Sequence, residues 1–554
     1  MTPEQLSRVV ADALAALVAE GALVLHGDLP REVRVERPKV KEHGDYAMNV
    51  ALQLAKQAGR PPREIAELLA ARLASATGIA HVEVAGPGFL NVRVGAGAQG
   101  AVAGAIVAAG EAYGRSDVLR GRRVNVEFIS ANPTGPLHLG HTRWAALGDA
   151  IGRVLAAAGA QVTREFYIND RGAQMDKFGA SLAAAAAGQP VPDDGYHGDY
   201  VVELASQIAV DRPELSELPA DERVAAFRDE GYRRQLVEQR AQLDGFRTHF
   251  DVWASESALH DDDRVKHGIE RLREQGHLYE ADGALWMRTT DFGDDRDRVL
   301  VRSNGAFTYF ASDSAYYVDK RERGFSPCIY LLGADHHGYV NRLRAIAACA
   351  GDDPDRDIDV LIGQLVKVVR GGQELRLSRR AGTILSLQEV VDLTGVDALR
   401  YTLCRFPADS PMTVDIDLVT RTSNDNPVYY VQYAHARLSS ILRNAVGLGL
   451  AADADTYDPA LLAHQREGDL LRALADLPRV VEQAAALREP HRVARYLEET
   501  AATFHRFYDE CRVLPMGDEE AGDLHRARLV LVAATRLVLG NGLSLLGVTA
   551  PERM

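Results

Sequence analysis

Residues 122–168 run RRVNVEFISANPTGPLHLGHTRWAALGDAIGRVLAAAGAQVTREFYI, and their reading decides the fold. The apolar run 124–129 predicts a strand. A loop follows that holds Asn132, Pro133, Thr134, Gly135 and Pro136. From near Thr142, residues Trp144, Leu147, Ile151, Val154 and Leu155 recur on one face at helical period. Residues 162–168 predict a second strand. Strand, loop, helix and strand make a βαβ unit, which calls for a parallel sheet and a right-handed crossover. The expected class is α/β, with a Rossmann-like parallel-sheet domain at the centre of the chain.

Further buried strands are expected at 328–332 and 360–368. Between the halves, residues 178–300 read as a charged, mostly helical insertion. Upstream, 5–19 predicts an amphipathic helix and 81–84 and 89–94 predict strands, a small α/β unit. The glycine- and alanine-rich stretch 95–110 reads as a connection. Beyond about residue 400 strand signals nearly vanish, and helical patterns at 429–446, 465–489 and 521–539 predict an all-α bundle. The expected division is 1–110, 111–400 with the insertion inside it, and 401–554. The abrupt change of pattern predicts that a chain ending near residue 420 folds without the bundle.

Composition sets limits. Of 554 residues, 46% are hydrophobic and 25% charged, the balance of a globular chain rather than a disordered one. A net charge of −15 argues against holding nucleic acid by bulk positive charge. No run approaches the ~20 uncharged apolar residues of a membrane span, so no membrane role is expected. Cys328, Cys349, Cys404 and Cys511 form no CxxC pair. A disulfide framework or zinc ribbon is therefore not expected, and a cytoplasmic location is.

The chemical signal is His138-Leu139-Gly140-His141 at the first crossover of the βαβ unit. Ligands of open α/β sheets bind there, outside the carboxyl ends of the strands. A helix N-terminus favours phosphate through its amides and dipole. Gly140 lets a nucleotide approach the backbone, and His138 and His141 can donate to phosphate oxygens as charge develops. Neither GxxxxGK[ST] nor GxGxxG stands here. Arg376-Leu377-Ser378-Arg379-Arg380 lies between glycine-bearing turns and would supply a second phosphate clamp. Asp335, His336 and His337 invite a metal reading. Neighbours on a strand point to opposite faces, so no metal is expected.

The His-Leu-Gly-His and Arg-Leu-Ser-Arg-Arg pair resembles the two signatures of class I aminoacyl-tRNA synthetases. The residues around them are similar to arginyl-tRNA synthetases over essentially the whole chain. Those residues include His43-Gly44-Asp45-Tyr46, Gly86-Pro87-Gly88-Phe89-Leu90-Asn91, Gly333-Ala334-Asp335-His336-His337-Gly338-Tyr339 and Asp397-Ala398-Leu399-Arg400-Tyr401. The usual second signature has lysines where Arg376 and Arg379 stand, and Arg and Lys are not equivalent.

The resemblance implies a monomeric ligase that activates L-arginine with ATP and transfers it to tRNA(Arg). ATP would arrive with Mg2+ bound through its phosphates and with no structural metal in the protein. The N-terminal unit would bind the tRNA elbow and the bundle the anticodon. By the bare pattern, Tyr429, Tyr430, Tyr433 and Arg437 read as core. The implied catalytic residues are His138, His141, Arg376, Ser378 and Arg379. Nucleotide contacts would come from His138, Leu139, Gly140, His141, Asp335, His336, Arg376, Leu377 and Ser378. The arginine pocket would hold Glu127, Ser130, Asn132, His141, Tyr309, Asp313 and Asp335. Two rivals remain in view, a small-molecule nucleotidyltransferase and a non-catalytic tRNA-binding paralogue.

Overall fold

A computed structural model describes residues 1–38, 40–375 and 385–554, without the side chains of Lys41, Asp335 and His337. At its centre lies a five-stranded sheet of β1 (Arg123–Glu127), β2 (Gln161–Ile168), β3 (Val252–Ser255), β4 (Cys328–Gly333) and β5 (Ile358–Gly363). The spatial order is β5-β4-β1-β2-β3, and every neighbouring pair is parallel. Helix α1 (Leu139–Ala157) makes the first crossover, as the βαβ pattern requires. The chain leaves β1 toward β2 on one side and places β4 on the other, so β1 and β4 flank the switch point where ligands of such sheets lie.

The insertion is not purely helical. After helices Ala173–Ala186, Asp199–Asp211 and Ala220–Gly245 the chain returns to the sheet as β3, and a small antiparallel sheet of Leu278–Ala281, Ala284–Met287 and Arg298–Val301 follows. A four-residue edge strand gives too little periodicity to stand out from the charged helices before it. Two more helices matter for the site. Helix α2 (Glu256–Asp261) begins directly where β3 ends, and α3 (Tyr309–Glu322) precedes β4. The expected strand 360–368 is two strands, β5 and Val366–Arg370.

The stretch 95–110 is likewise more than a connection. Ala96–Ala109 is a helix, and its small residues permit close approach. A Cβ on Gly100 would sit 2.0 Å from the Pro459 carbonyl oxygen. One hydrophobic core runs without interruption from Val102 through the central sheet and α1 into the C-terminal helices as far as Val548. Helices α4 (Val396–Cys404), α5 (Leu477–Leu487) and α6 (Asp523–Leu545) belong to that core.

Arg400 on α4 is fully buried and ties these parts together. It donates to the carbonyls of Phe246 (2.8 Å) and Leu546 (3.1 Å), and it is paired with Asp149 of α1. This shared core speaks against the expected independence of the bundle, because removing it would strip apolar cover from α1. The helical run 465–489 is broken in two, as Gln465–Ala475 and α5, with Pro478 in the first turn of the second. By length and composition α6 could cross a membrane, contrary to the reading that no segment comes close; 61% of its most apolar window is buried in this core.

The N-terminal unit has its own core under a four-stranded antiparallel sheet. It rests on the C-terminal helices through Asp45–Arg472 (2.6 Å) and Arg37–Asp476 (2.8 Å).

Candidate active site

Past the carboxyl ends of β1, β2 and β3, and on the helix before β4, stand the acids of the candidate site. Beyond Glu127, the last residue of β1, the backbone turns sharply. Ile129 (φ +69°) and Ser130 (φ +44°) both sit in the left-handed region, a costly conformation for residues with side chains and one that clusters at functional sites. The turn aims Ser130 back at the strand. Its Oγ donates to Glu127 Oε1 at 3.1 Å and accepts the Tyr167 amide at 3.2 Å. Asn132, in the loop beyond, is exposed.

Three further carboxyls join Glu127. Asp170 follows β2 and is held by the Ser255 hydroxyl (2.6 Å) and the Ser257 amide (2.8 Å). Glu256 opens α2 and is buried. Asp313, one turn into α3, accepts from the Tyr339 hydroxyl.

Tyr167 stands among all four. Burial, then the charges of Glu256, Asp313, Glu127 and Asp170, push its hydroxyl far above the usual range. The acids strain one another as well. Burial pushes Glu256 up to about 7, with Asp313 and Asp170 adding to the rise and Arg171 and Tyr167 opposing it. Burial pushes Asp313 up to about 6, which the Tyr339 hydrogen bond and Arg342 oppose and Glu127 reinforces. An empty pocket of this kind holds back a proton near neutrality, and a cation entering it would release one. Beside Asp170 lies a cavity of about 490 Å3 against Arg171, Gly172, Tyr232 and Ser257. Tyr309, at the start of α3, is 66% exposed, and its hydroxyl lies 3.0 Å from where a Cβ on Gly172 would stand.

The other end of the site is α1. His138 is its N-cap, and its Nδ1 accepts the Gly140 amide at 3.1 Å. His141 Nδ1 accepts the His138 amide at 3.3 Å. With Nδ1 accepting in both rings, each neutral imidazole carries its proton on Nε2. The rings lie 3.8 Å apart, tilted by 30°.

This corrects one expectation. The amides of Leu139, Gly140 and His141 are bonded to the Leu385 carbonyl, His138 Nδ1 and the His138 carbonyl, so the first turn does not offer them to a ligand as it stands. Leu139 itself is buried in the core. What the helix end presents is its dipole and two imidazoles.

Arg376, Leu377, Ser378 and Arg379 lie outside the described residues, as does the side chain of Asp335. The described chain resumes against α1. His138 and Ser386 form an antiparallel bridge, and the Leu387 amide donates to the Leu137 carbonyl at 2.8 Å. His336 is exposed in the turn Ala334–Tyr339 after β4. Among the described residues no three His, Cys, Asp or Glu side chains converge to hold a metal.

Three pocket residues escaped the sequence reading, namely Tyr167, Asp170 and Glu256. Each stands at or just past a strand end, and that position was the available signal. For Glu256 it was lost together with β3.

The family model described as "tRNA synthetases class I (R), catalytic domain" matches residues 104–400. "Arginyl tRNA synthetase N terminal domain" matches 4–94, and "DALR anticodon binding domain" matches 431–554. An arginine–tRNA ligase of Frankia alni is 59% identical over 554 residues, covering 100% of both chains. One of Kineococcus radiotolerans is 54% identical over 555 residues, again with full coverage of both. The solved arginyl-tRNA synthetase of Thermus thermophilus is 24% identical, superposes with a TM-score of 0.74 and covers 100% of each chain, a likeness of fold.

Proposed function

This chain belongs to the arginyl-tRNA synthetases of class I, and from that premise we propose where on the fold its reaction takes place. It is a ligase that joins L-arginine to tRNA(Arg) at the expense of ATP. In the first step an oxygen of the arginine carboxylate attacks the α-phosphorus of ATP. The bond to the bridging oxygen breaks, and pyrophosphate leaves. In the second, a terminal ribose hydroxyl of the tRNA attacks the activated carbonyl carbon, and AMP leaves.

The observation that carries the assignment is that β1, the turn after β2, the start of α2 and the first turns of α3 bring Glu127, Asp170, Glu256 and Asp313 to one end of the sheet, where all four charges act on Tyr167. Free arginine brings two cations, an α-ammonium and a guanidinium, and a selective site must meet both with fixed acceptors. Asp313 and Glu256, the two acids strained by burial and by each other, receive the guanidinium. Glu127, steadied by Ser130, receives the α-ammonium. Tyr309 lies across the mouth, and Asn132 orients the substrate from the exposed loop.

ATP lies at the α1 end. His138 and His141 donate from Nε2 to the α-phosphate as negative charge builds up on it, while the α1 dipole adds a fixed positive field. Arg376, Ser378 and Arg379 are assigned to the same phosphates by the family resemblance, and the described chain that follows, from Leu385, is paired with 137–139. Asp335 and His336 border the adenosine. Magnesium would enter on the triphosphate. The described residues offer no cage for it.

The protein needs no nucleophile of its own and works by orientation and electrostatics. Arginine-dependent exchange of pyrophosphate into ATP, with and without tRNA(Arg), tests the reading. Exchange that is equally fast with lysine, or absent with arginine and tRNA together, would contradict it.

A further inference from the structure

Glu127 does not stand alone at the end of β1. Lys320 Nζ donates to its Oε2 at 2.5 Å, while Ser130 holds Oε1. Lys320 has no exposed surface, and its ammonium lies over the rings of Tyr330 (4.0 Å) and Tyr316 (4.4 Å). The next carboxylate, Glu165, is already engaged. It accepts from the Tyr316 hydroxyl, from Asn125 and from both terminal nitrogens of Arg323. The hydrogen bond of the buried ammonium goes to Glu127, while its charge also acts on Glu165.

Such a pair is poorly explained by stability. Taking an ammonium out of water is expensive, and apolar residues of similar volume often serve a core as well or better. Position gives the better account. Lys320 and Asp313 share α3, seven residues apart, which is about 10.5 Å along a helix at ~1.5 Å per residue. A single rigid helix thus carries one acid of the pocket and the clamp on another. The clamp occupies Oε2, while Oε1 accepts from Ser130 on the turn that leads into the candidate site.

We propose that Lys320 is a positioning residue for arginine activation, holding the Glu127 carboxyl in orientation for the α-ammonium without touching the substrate itself. The proposal rests on the reading that Glu127 receives that ammonium.

The test is a cycle of Lys320→Met, Glu127→Gln and the double variant, with arginine and ATP varied separately in the exchange assay. Lys320→Met should raise the arginine KM on the order of tenfold or more, as expected for stripping the partner from a buried charge pair. Its ATP KM should move less than about twofold, within the range of an uninvolved substitution. In the Glu127→Gln background the same substitution should add nothing to the arginine KM, because it acts only through that carboxylate.

A wild-type arginine KM in Lys320→Met, or an undiminished further loss in the double variant, overturns the proposal and leaves the Glu127 reading standing. A wild-type arginine KM in Glu127→Gln overturns both. If Lys320→Met does not fold, Lys320→Gln, which keeps a donor and loses the charge, enters the same cycle with the same outcomes.

Discussion

The two ends of the active site are built in opposite ways. The α1 end is one stretch, 138–141, in which each ring is set by an amide two or three positions away in the cap. The proposed arginine end draws Glu127 from β1, Tyr167 from β2, Asp170 from the turn after it, Glu256 from α2 and Asp313 from α3, across 186 residues of chain. The first depends on local hydrogen bonds. The second exists only when the sheet is complete. Phosphate recognition tolerates the local solution, because charge and a helix dipole suffice. Reading a guanidinium and an ammonium at once needs acids at fixed separation, which separate strands supply.

The largest effect should come from asking whether either end survives without the helices behind it. A chain ending near residue 420 loses the partners of α1 and the Leu546 carbonyl held by Arg400, and should be insoluble or unfolded by circular dichroism. A soluble, cooperatively folded fragment would show that the shared core matters less than its continuity implies.

Next, the ends should separate kinetically. His138→Ala and His141→Ala should each lower kcat about 10²–10³-fold, the scale of losing one donor to a developing charge. The arginine KM should stay near wild type, and stopped-flow or steady-state exchange would check both. A changed arginine KM with unchanged kcat would mean that the imidazoles serve binding instead.

Asp313→Asn and Glu256→Gln should do the reverse. Leaving a desolvated cation without its partner costs about 2–5 kcal/mol. At ~1.4 kcal/mol per decade the arginine KM should rise about 30-fold or more, with the ATP KM far less affected. Equal losses for both substrates would point to a structural role for these acids.

The smallest effect is a pH dependence confined to the arginine end. Folding raises Glu256 to about 7 and Asp313 to about 6 from their ordinary values near 4. Their contribution to the empty fold is therefore fully present at low pH and is lost as pH rises through 6 to 7. Arginine replaces their mutual repulsion with attraction and favours both in the ionised form. Its affinity, and the thermal stabilisation it confers, should be severalfold greater at pH 8 than at pH 6. Identical arginine titrations at the two values would remove the proton from the account.

The same contrast explains what the sequence reveals. The βαβ unit and the His138–His141 motif are legible because period and spacing act over a few residues. Strand 89–94 is found at its observed bounds for that reason, and so is the class of the sheet. Glu256 is hidden because β3 is four residues long and follows 26 residues of charged helix. Lys320 carries no mark in the sequence, and its burial emerges only when Glu127 of β1 and Tyr330 of β4 are packed against it. The shared core is hidden in 95–110, where small residues suggest a linker until Pro459 is seen against Gly100. The spent amides of α1 are invisible to a pattern that records the helix start and not what caps it.

A structure of the protein soaked with L-arginine and a non-hydrolysable ATP analogue tests the central claim most directly. The guanidinium should lie between Asp313 and Glu256, the α-ammonium on Glu127 Oε1, and the α-phosphate within hydrogen-bond reach of His138 or His141. Arginine seated away from all three acids, or with its guanidinium turned toward α1, would contradict the account.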